Sequence, residues 1–274
     1  MPWLWLVFMG LIGMVMFNYG AFFLLSSRWL GVPLLIMVAV PAAMGQGSLA
    51  IGLVTGGALW AGTILLALVQ WQRNVVIPRR QIWWSVVVGL VALLAVVGTA
   101  LNGRVSCIES WAVLLLGVVS YLLRPRTGER LVWWRWLTGL ALCVGGGAIT
   151  VWAMPTVGAV CGWSPMLVGT LLAPCCLIST TFGLWRKRTN TPAVVLTNAV
   201  GGMVTGLITV GWGLLGVIGG VWTVGATTRL LTLPCLALTL LLGVTPLLWR
   251  QKSNRWLGAL LAVIYAGYLL LLWL

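Results

Sequence analysis

The chain of 274 residues is 61% hydrophobic and only 7% charged, with sixteen basic and two acidic residues and a net charge of +14. Soluble domains carry about 25% charged residues, so this composition and a mean hydropathy of +1.10 exclude a soluble globular protein. The scarcity of acids also argues against proton relays and divalent-cation sites, which depend on buried carboxylates in membranes. The composition predicts an integral membrane protein.

Ten apolar stretches follow one another, most of them long enough to cross a hydrocarbon core of about 30 Å as a helix. Their runs are continuously apolar, whereas the strands of a membrane barrel alternate. No basic region precedes the first run, so we expect it to remain as a span and not to be cleaved as a signal. We predict an all-α polytopic fold with spans 1 to 10 at residues 3–24, 29–44, 47–70, 82–101, 107–123, 136–153, 159–185, 192–216, 229–249 and 255–274.

The basic residues indicate how the spans are oriented. Fourteen of them fall in loops after odd-numbered spans, and only Arg104 and Arg229 fall on the other side. Because loops rich in Lys and Arg stay cytoplasmic, both termini are expected outside, in the cell (inner) membrane. The charge then serves topology and attraction to membrane lipid, and nucleic-acid binding is not expected.

The sequence offers little for catalysis or metal binding. It has no histidine, no Gly-x-Ser-x-Gly motif and no phosphate-binding loop, and its six cysteines lack the paired spacing of a zinc site. Glu109, near the start of span 5, is interpreted as a helix cap, and Glu129 as a solvated loop charge. We therefore predict no enzyme, no cofactor and no metal site.

Matching stretches occur in the same order in the two halves of the chain. Because five is an odd number, the second copy must enter the membrane from the opposite side, as in transporters built from inverted repeats. We predict a first five-helix repeat at 1–126, a basic cytoplasmic linker at 127–135 and a second repeat at 136–274. The matched stretches are residues 31–35 with 162–167, 56–57 with 201–202, and 106–123 with 254–270.

These motifs resemble the sodium/calcium exchanger superfamily, the calcium/cation antiporters. Residues 253–270 resemble the closing helix of that family, with Arg255, Gly258, Tyr265 and Tyr268 in the corresponding places. Residues 165–202 resemble its second α-repeat. The resemblance implies a cation antiporter in which spans 2, 3, 7 and 8 converge around ion sites that two glutamates and several asparagines line.

The chain departs from the family where those ion ligands stand. Thr180 occupies the place of the second-repeat glutamate, Ser179 the place of its proline, and only Asn198 remains of the later asparagine motif. In the first repeat, residues 39–53 form a stretch about eleven residues shorter than 173–198, and the missing piece would carry the other glutamate. Calcium takes six to eight oxygen ligands, typically with carboxylates among them, so we expect no calcium exchange.

Neutral oxygens can still hold a dehydrated monovalent cation. We predict that a monovalent cation or another small solute is moved past helices broken at proline, with Pro174 beside Cys175 and Cys176 as the preferred unwound segment. A simple packing kink at Pro174 is the alternative. The candidate ligands are hydroxyl and amide side chains, namely Thr170, Ser179, Thr180, Thr197 and Asn198.

Two other hypotheses stay open at this point. A transport-inactive scaffold or regulatory partner would use its glycines, including Gly56, Gly57, Gly201 and Gly202, only for close helix contact. A drug/metabolite-type transporter shares the size and the five-plus-five topology. Helix contacts separate this third hypothesis from the first, because only an exchanger-like fold requires spans 2, 3, 7 and 8 to meet at the centre.

Overall fold

A computed structural model of the protein describes residues 2–24, 32–71, 79–122, 133–187, 193–220, 222–250 and 255–273. Within these ranges six helices are long and apolar enough to cross a membrane, and four shorter apolar helices accompany them. Together they account for the ten predicted spans, and the all-α polytopic fold is confirmed. Residues 127–132 of the predicted linker at 127–135, with Glu129 among them, lie outside the described residues, and the helix that begins at Trp133 includes the remaining three.

Spans 1 to 5 consist of α1 (Pro2–Leu24), α2 (Val32–Ala43), α3 (Gly47–Trp60) continued by α4 (Leu66–Gln70), α5 (Arg79–Leu101) and α6 (Cys107–Leu122). Spans 6 to 10 consist of α7 (Trp133–Val160), α8 (Pro165–Cys176) followed by α9 (Ile178–Lys187), α10 (Ala193–Gly206) continued by α11 (Trp212–Gly219), α12 (Leu233–Arg250) and α13 (Arg255–Trp273). The boundaries agree with the prediction to within a few residues, with one exception.

That exception is the boundary between spans 6 and 7. Span 7 begins at Pro165 and not at the predicted residue 159, and the predicted end of span 6 at residue 153 was also wrong. The helix continues through Pro155 to Val160. Proline removes one backbone hydrogen bond, and packing beyond it keeps the helix together: a Cβ on Gly158 would overlap the Val168 side chain of span 7. Tertiary contact therefore extends this helix past the residue at which local propensity would end it.

Spans 3 and 8 both contain a π-turn near the middle of the helix. The turns are Ala61–Leu65 in span 3 and Leu207–Gly211 in span 8. Each has a threonine at its third position: Thr63 donates to the Leu59 carbonyl at 2.5 Å, and Thr209 donates to the Thr205 carbonyl at 2.7 Å. The same irregularity in the third helix of each half is what a duplicated five-helix unit produces, and π-turns are frequent at functional sites.

The first helices of the two halves, spans 1 and 6, cross through glycines. A Cβ on Gly13 would lie 2.7 Å from the Gly146 carbonyl oxygen, and one on Gly20 would lie 2.7 Å from the Gly139 carbonyl oxygen. The contacts are reciprocal, because Gly146 and Gly139 approach the carbonyl oxygens of Gly13 and Gly20 in turn. Small residues at such a crossing allow the two backbones to touch, and the reciprocity fits inverted repeats.

Span 3 is at the centre of the molecule and is almost entirely buried. Spans 2, 7 and 8 all pack against it, and span 2 also packs against span 8. Spans 3 and 7 approach each other closely: a Cβ on Gly52 would overlap the Met166 carbonyl oxygen, and one on Gly56 would lie 2.8 Å from the Cα of Thr170. The predicted convergence of spans 2, 3, 7 and 8 is therefore present, as the exchanger-like fold requires.

Two short strands join loops that are far apart in the chain. Arg104–Val105, between spans 4 and 5, pairs antiparallel with Trp222–Thr223, between spans 8 and 9. The guanidinium of Arg229 approaches Gly103 in the same region. Loops that pair must lie on one side of the membrane, and the predicted ten-span topology assigns both loops to the same side.

Glu109 has the structural role that the sequence predicted. Its carboxylate accepts from the Ser106 backbone amide at 2.7 Å and from the Ser106 hydroxyl at 2.9 Å. The Ser106 hydroxyl in turn accepts from the Glu109 amide at 3.3 Å. This reciprocal arrangement is a capping box that satisfies free amides at the start of α6, so this acid is committed to the end of a helix.

Candidate functional site

The helix of span 7 is interrupted beside Pro174, where the sequence predicted an unwound segment. The first segment, α8, begins at Pro165 after Ser164, whose hydroxyl accepts from the Leu167 amide at 3.2 Å. It ends at Cys176, and Leu177 leaves helical geometry with φ −96° and ψ 5° before α9 begins at Ile178. Pro174 lacks the amide hydrogen that would bond to the Thr170 carbonyl, so the helical ladder is already missing one bond in the turn before Leu177.

Asn18 of span 1 fills this break with its side-chain amide. Its nitrogen donates to the Cys175 carbonyl at 2.9 Å, and its oxygen accepts from the Ser179 backbone amide at 3.0 Å. In an uninterrupted α-helix the Ser179 amide would donate directly to the Cys175 carbonyl, four residues earlier. The Asn18 amide is thus inserted into one rung of the helical ladder, a recognised cause of sharp helix kinks.

Sequence reasoning missed Asn18, although a signal was available. Span 1 is otherwise apolar and aromatic, and Asn18 is the one amide side chain within Pro2–Leu24. A polar group in a membrane span is costly unless it has a partner, and such residues usually face the interior of the helix bundle. An isolated asparagine in an apolar span could therefore have been proposed as part of the site, without its partner being known.

Three of the five predicted site residues have buried hydroxyl oxygens that lack a hydrogen-bond partner among the described residues. They are Ser179 and Thr180, at the start of α9, and Thr197 in α10. Thr180 is fully buried and Thr197 nearly so. Buried hydroxyls normally bond to protein or ordered water, so unpartnered ones indicate places where a polar ligand or water is accommodated.

The other two predicted residues are already engaged. The Thr170 hydroxyl donates to the Met166 carbonyl at 3.0 Å and interacts with the phenol of Tyr268. Asn198 is half-buried and takes part in an interaction of its own. Neither side chain therefore presents an obviously available ligand atom.

The predicted residues do not form one compact cluster. Segment α9, which carries Ser179 and Thr180, packs against α1 and α8, whereas α10, which carries Thr197 and Asn198, packs against α5 and span 3. Thr170 lies before the break, beside span 3. The hydroxyls are therefore distributed over spans 7 and 8, both of which pack against span 3.

An aromatic cluster that the sequence did not assign to the site adjoins the break. The Trp60 indole donates to the Thr181 hydroxyl at 3.2 Å and packs edge-on against Tyr265, with ring centroids 5.3 Å apart. The Tyr268 and Thr232 hydroxyls are 3.3 Å apart. The Tyr265 hydroxyl is buried and has no hydrogen-bond partner in the described part of the chain. Spans 3, 7 and 10 thus meet around polar atoms without charge.

The electrostatic character of this region follows from its composition. Within the described ranges no group of three or more His, Cys, Asp or Glu side chains could hold a metal ion. The side chains at the break are hydroxyls, amides, thiols and aromatic rings. Such a region can solvate a polar solute or a weakly charged ion, but it supplies no anionic ligand to compensate a divalent cation.

An all-α bundle with a broken helix near its centre and polar groups at the break is typical of secondary transporters. Its sequence matches the family model described as sodium/calcium exchanger protein over residues 131–274, just over half of the chain. The protein belongs to the sodium/calcium exchanger family and is an integral membrane, cation antiporter-like transporter.

Solved structures confirm the fold. An H+/Ca2+ exchanger, CAX, is similar with a TM-score of 0.75 at 13% identity, covering 97% of this chain and 86% of that one. Native YfkE gives 0.75 at 14% identity, covering 97% and 91%. The sodium-calcium exchanger NCX_Mj gives 0.63 at 15% identity, covering 97% and 98%. Among curated protein sequences, none matches this chain significantly.

Proposed function

We propose that the protein carries a monovalent cation or a small polar solute past the break in span 7, using neutral ligands, and that it does not exchange calcium. The observation that carries the proposal is the set of buried hydroxyls of Ser179, Thr180 and Thr197, which have no hydrogen-bond partner within the described ranges. A hydroxyl that is desolvated and bonds to nothing costs free energy, which binding of a polar ligand recovers. The cost would be avoidable in a protein that needed only packing.

The exclusion of calcium follows from charge. Calcium takes six to eight oxygens and depends on carboxylates to offset its two charges, and a net charge left in the bilayer costs several kcal/mol. Hydroxyl and carbonyl oxygens suffice for a monovalent ion, as potassium filters demonstrate. Thr180 stands where the related family pattern has a glutamate, and a threonine oxygen contributes no formal charge.

The membrane, orientation and repeat boundaries are part of the same proposal. Fourteen basic residues after odd-numbered spans support a cytoplasmic position for those loops, with both termini outside in the cell's inner membrane. The paired loops at Arg104 and Trp222 then lie on the outer side. We assign the first repeat to 1–126, the linker to 127–135 and the second repeat to 136–274, and we propose transport, without enzymatic chemistry, as the activity.

Flux into proteoliposomes tests the proposal. Vesicles with the wild-type protein are expected to exchange sodium, potassium or lithium, or a small neutral solute, faster than empty vesicles, while calcium uptake stays at the empty-vesicle rate. Robust sodium-driven calcium uptake would overturn the calcium exclusion.

Variants locate the ligands. Thr180→Val and Thr197→Val each remove an unpartnered hydroxyl at constant shape, so flux should fall about tenfold, the equivalent of about 1.4 kcal/mol of lost binding, while thermal stability is kept. Thr205→Val is the matched control, because the Thr205 hydroxyl is already bonded to the Gly201 carbonyl at 2.9 Å. Equal flux in all three variants would contradict the assignment of the ligands.

One observation favours a second function, that of a transport-inactive scaffold. Most buried hydroxyls outside the break donate to their own helix, as Thr55 does to the Ile51 carbonyl at 2.8 Å, and the span 3 crossing is closed by glycine contacts. Such a centre is built for packing. Absence of flux for every monovalent cation and small solute tested, with a protein that is folded and monodisperse, would establish this alternative.

A further inference from the structure

We propose that Asn18 is a positioning residue for the transport site: its amide keeps span 7 broken, so that the hydroxyls of Ser179 and Thr180 stay directed into the helix bundle. The inference rests on the proposed function for its transport consequence. Its structural part, the control of the break by a side chain of another span, stands on the geometry alone.

The geometry carries the first step. The Asn18 amide satisfies both groups of one interrupted rung, the Cys175 carbonyl at 2.9 Å and the Ser179 amide at 3.0 Å. Its nitrogen also donates to the Met14 carbonyl of its own helix at 3.0 Å, which fixes the orientation of the side chain. An amide is suited to this position because it offers a donor and an acceptor together and brings no charge.

The competing state is a straighter span 7. If the amide were removed, the Ser179 amide and the Cys175 carbonyl would each lose a partner in a buried setting, and their simplest remedy is to bond directly to each other. Restoring that rung rewinds the helix at Leu177 and rotates the segment that follows. Ser179 and Thr180 begin that segment, so their hydroxyls would change direction with it.

Among the described residues, the symmetry-related position lacks this arrangement of an amide in one span and a broken helix in another. In the crossing of spans 1 and 6, Gly13 contacts Gly146 and Gly20 contacts Gly139. The symmetry that exchanges the repeats therefore matches Gly13 with Gly139 and Gly20 with Gly146. The same shift in numbering matches Asn18 with Val144. Val144 is 45% exposed on the surface of the bundle and cannot supply an amide. The corresponding span 2 is a single helix, Val32–Ala43, among the described residues. Amide and two-segment helix therefore occur together in the second repeat's site and are both lacking in its counterpart.

Asn18→Leu tests the inference, because leucine keeps the side-chain volume and removes both hydrogen bonds. Spin labels at Trp163→Cys and Phe182→Cys, both exposed in the fold, measure the length of span 7 in a background without the native cysteines. We expect the label distance to lengthen by roughly 2 Å as the kink straightens, because the ends of a straight helix lie farther apart than those of a bent one. Tyr19→Phe, on the exposed face of the same helix, is the matched control and should leave the distance unchanged.

Transport supplies the second readout. Asn18→Leu should raise the KM for the transported species about tenfold, and Asn18→Gln, which retains the amide, should restore most of the affinity. An unchanged label distance in folded Asn18→Leu protein would overturn the inference. An equal rise in KM for Asn18→Leu and Asn18→Gln would also overturn it, because retaining the amide group would then make no difference. A lengthened distance in a protein without wild-type flux would retain Asn18 as the residue that holds the break and reject the proposed function instead.

Discussion

The two halves of the molecule share their packing but differ in their polar groups. Both have glycine crossings in the first helix and a π-turn in the third, and the third helix of each half packs against the fifth helix of the other. The second helix differs: Val32–Ala43 is one segment of 12 residues, whereas span 7 has segments of 12 and 10 residues on either side of its break. The buried hydroxyls without partners in the described chain all lie in the second half.

The two halves have therefore kept the same helix packing while their polar side chains have come to differ. Helix crossings depend on small residues and shape, and both halves retain them. A polar transport site depends on a few costly groups, and among the described residues the buried hydroxyls without partners lie in the second half, as does the broken helix. The ligands that we propose therefore all belong to the second half, with Ser179 and Thr180 on span 7 and Thr197 on span 8, and both of these spans pack against span 3 of the first half.

The largest expected effect tests the shared packing. In Gly52→Ala the new Cβ would overlap the Met166 carbonyl oxygen and approach the Thr170 amide nitrogen to 2.9 Å, so spans 3 and 7 must separate. Overpacking against backbone should destabilise the fold by about 2 kcal/mol or more. The melting temperature in detergent and the monodisperse fraction measure the loss.

Gly206→Ala is the matched control in the third helix of the other half. Apart from the backbone of its own helical turn, no described atom lies within 4 Å of the added Cβ, and Gly206 has ordinary helical angles of φ −62° and ψ −42°. Alanine is the better helix former by up to about 1 kcal/mol, so the melting temperature should stay the same or rise. Equal destabilisation by the two substitutions would contradict the assignment of the effect to the close backbone contact at Gly52.

Particular residues explain how much the sequence could predict. Hydropathy and charge gave the ten spans because lipid imposes a minimum length on every helix, and Pro174 predicted the break because proline lacks an amide hydrogen. The pairing of Asn18 with Cys175 could not be predicted, since 157 residues separate them and the contact depends on how spans 1 and 7 pack. The same holds for the aromatic contact of Trp60 with Tyr265.

The hydroxyls illustrate a second limit. Thr170, Thr180 and Thr197 are chemically alike in the sequence, yet Thr170 bonds to a carbonyl one turn away while the other two lack partners among the described residues. Threonine in a helix can bond back to its own backbone or present its hydroxyl to the interior, and the choice depends on side-chain rotamer and neighbours. Residue type therefore indicates which side chains could be ligands. Only the packing of the helices decides which hydroxyl oxygens are free to bind and which already bond to the backbone.

A medium effect concerns the last helix of each half. Helix α6 begins with the capping box of Ser106 and Glu109, whereas the first turn of its counterpart α13, which begins at Arg255, contains no acid. Glu109→Ala should lower the free energy of unfolding by about 1 kcal/mol, and Glu109→Gln should retain most of it because glutamine also completes a capping box. Thermal unfolding of the two variants measures the difference. A loss of monovalent flux in Glu109→Gln without destabilisation would instead assign this acid to transport.

The smallest effect tests the equivalence of the two π-turns. Thr63→Val and Thr209→Val each delete a hydroxyl that donates to a carbonyl of its own helix, and valine keeps the branched shape. The carbonyl groups of Leu59 and Thr205 remain part of their helices after the hydroxyl is lost. Each substitution should therefore change the free energy of unfolding by less than about 1 kcal/mol, and the two changes should be similar. Parallel thermal unfolding of both variants checks this. A markedly larger loss of unfolding free energy for Thr63→Val would mean that the Thr63 hydroxyl does more than bond to its own helix. The polar site would then extend across both repeats.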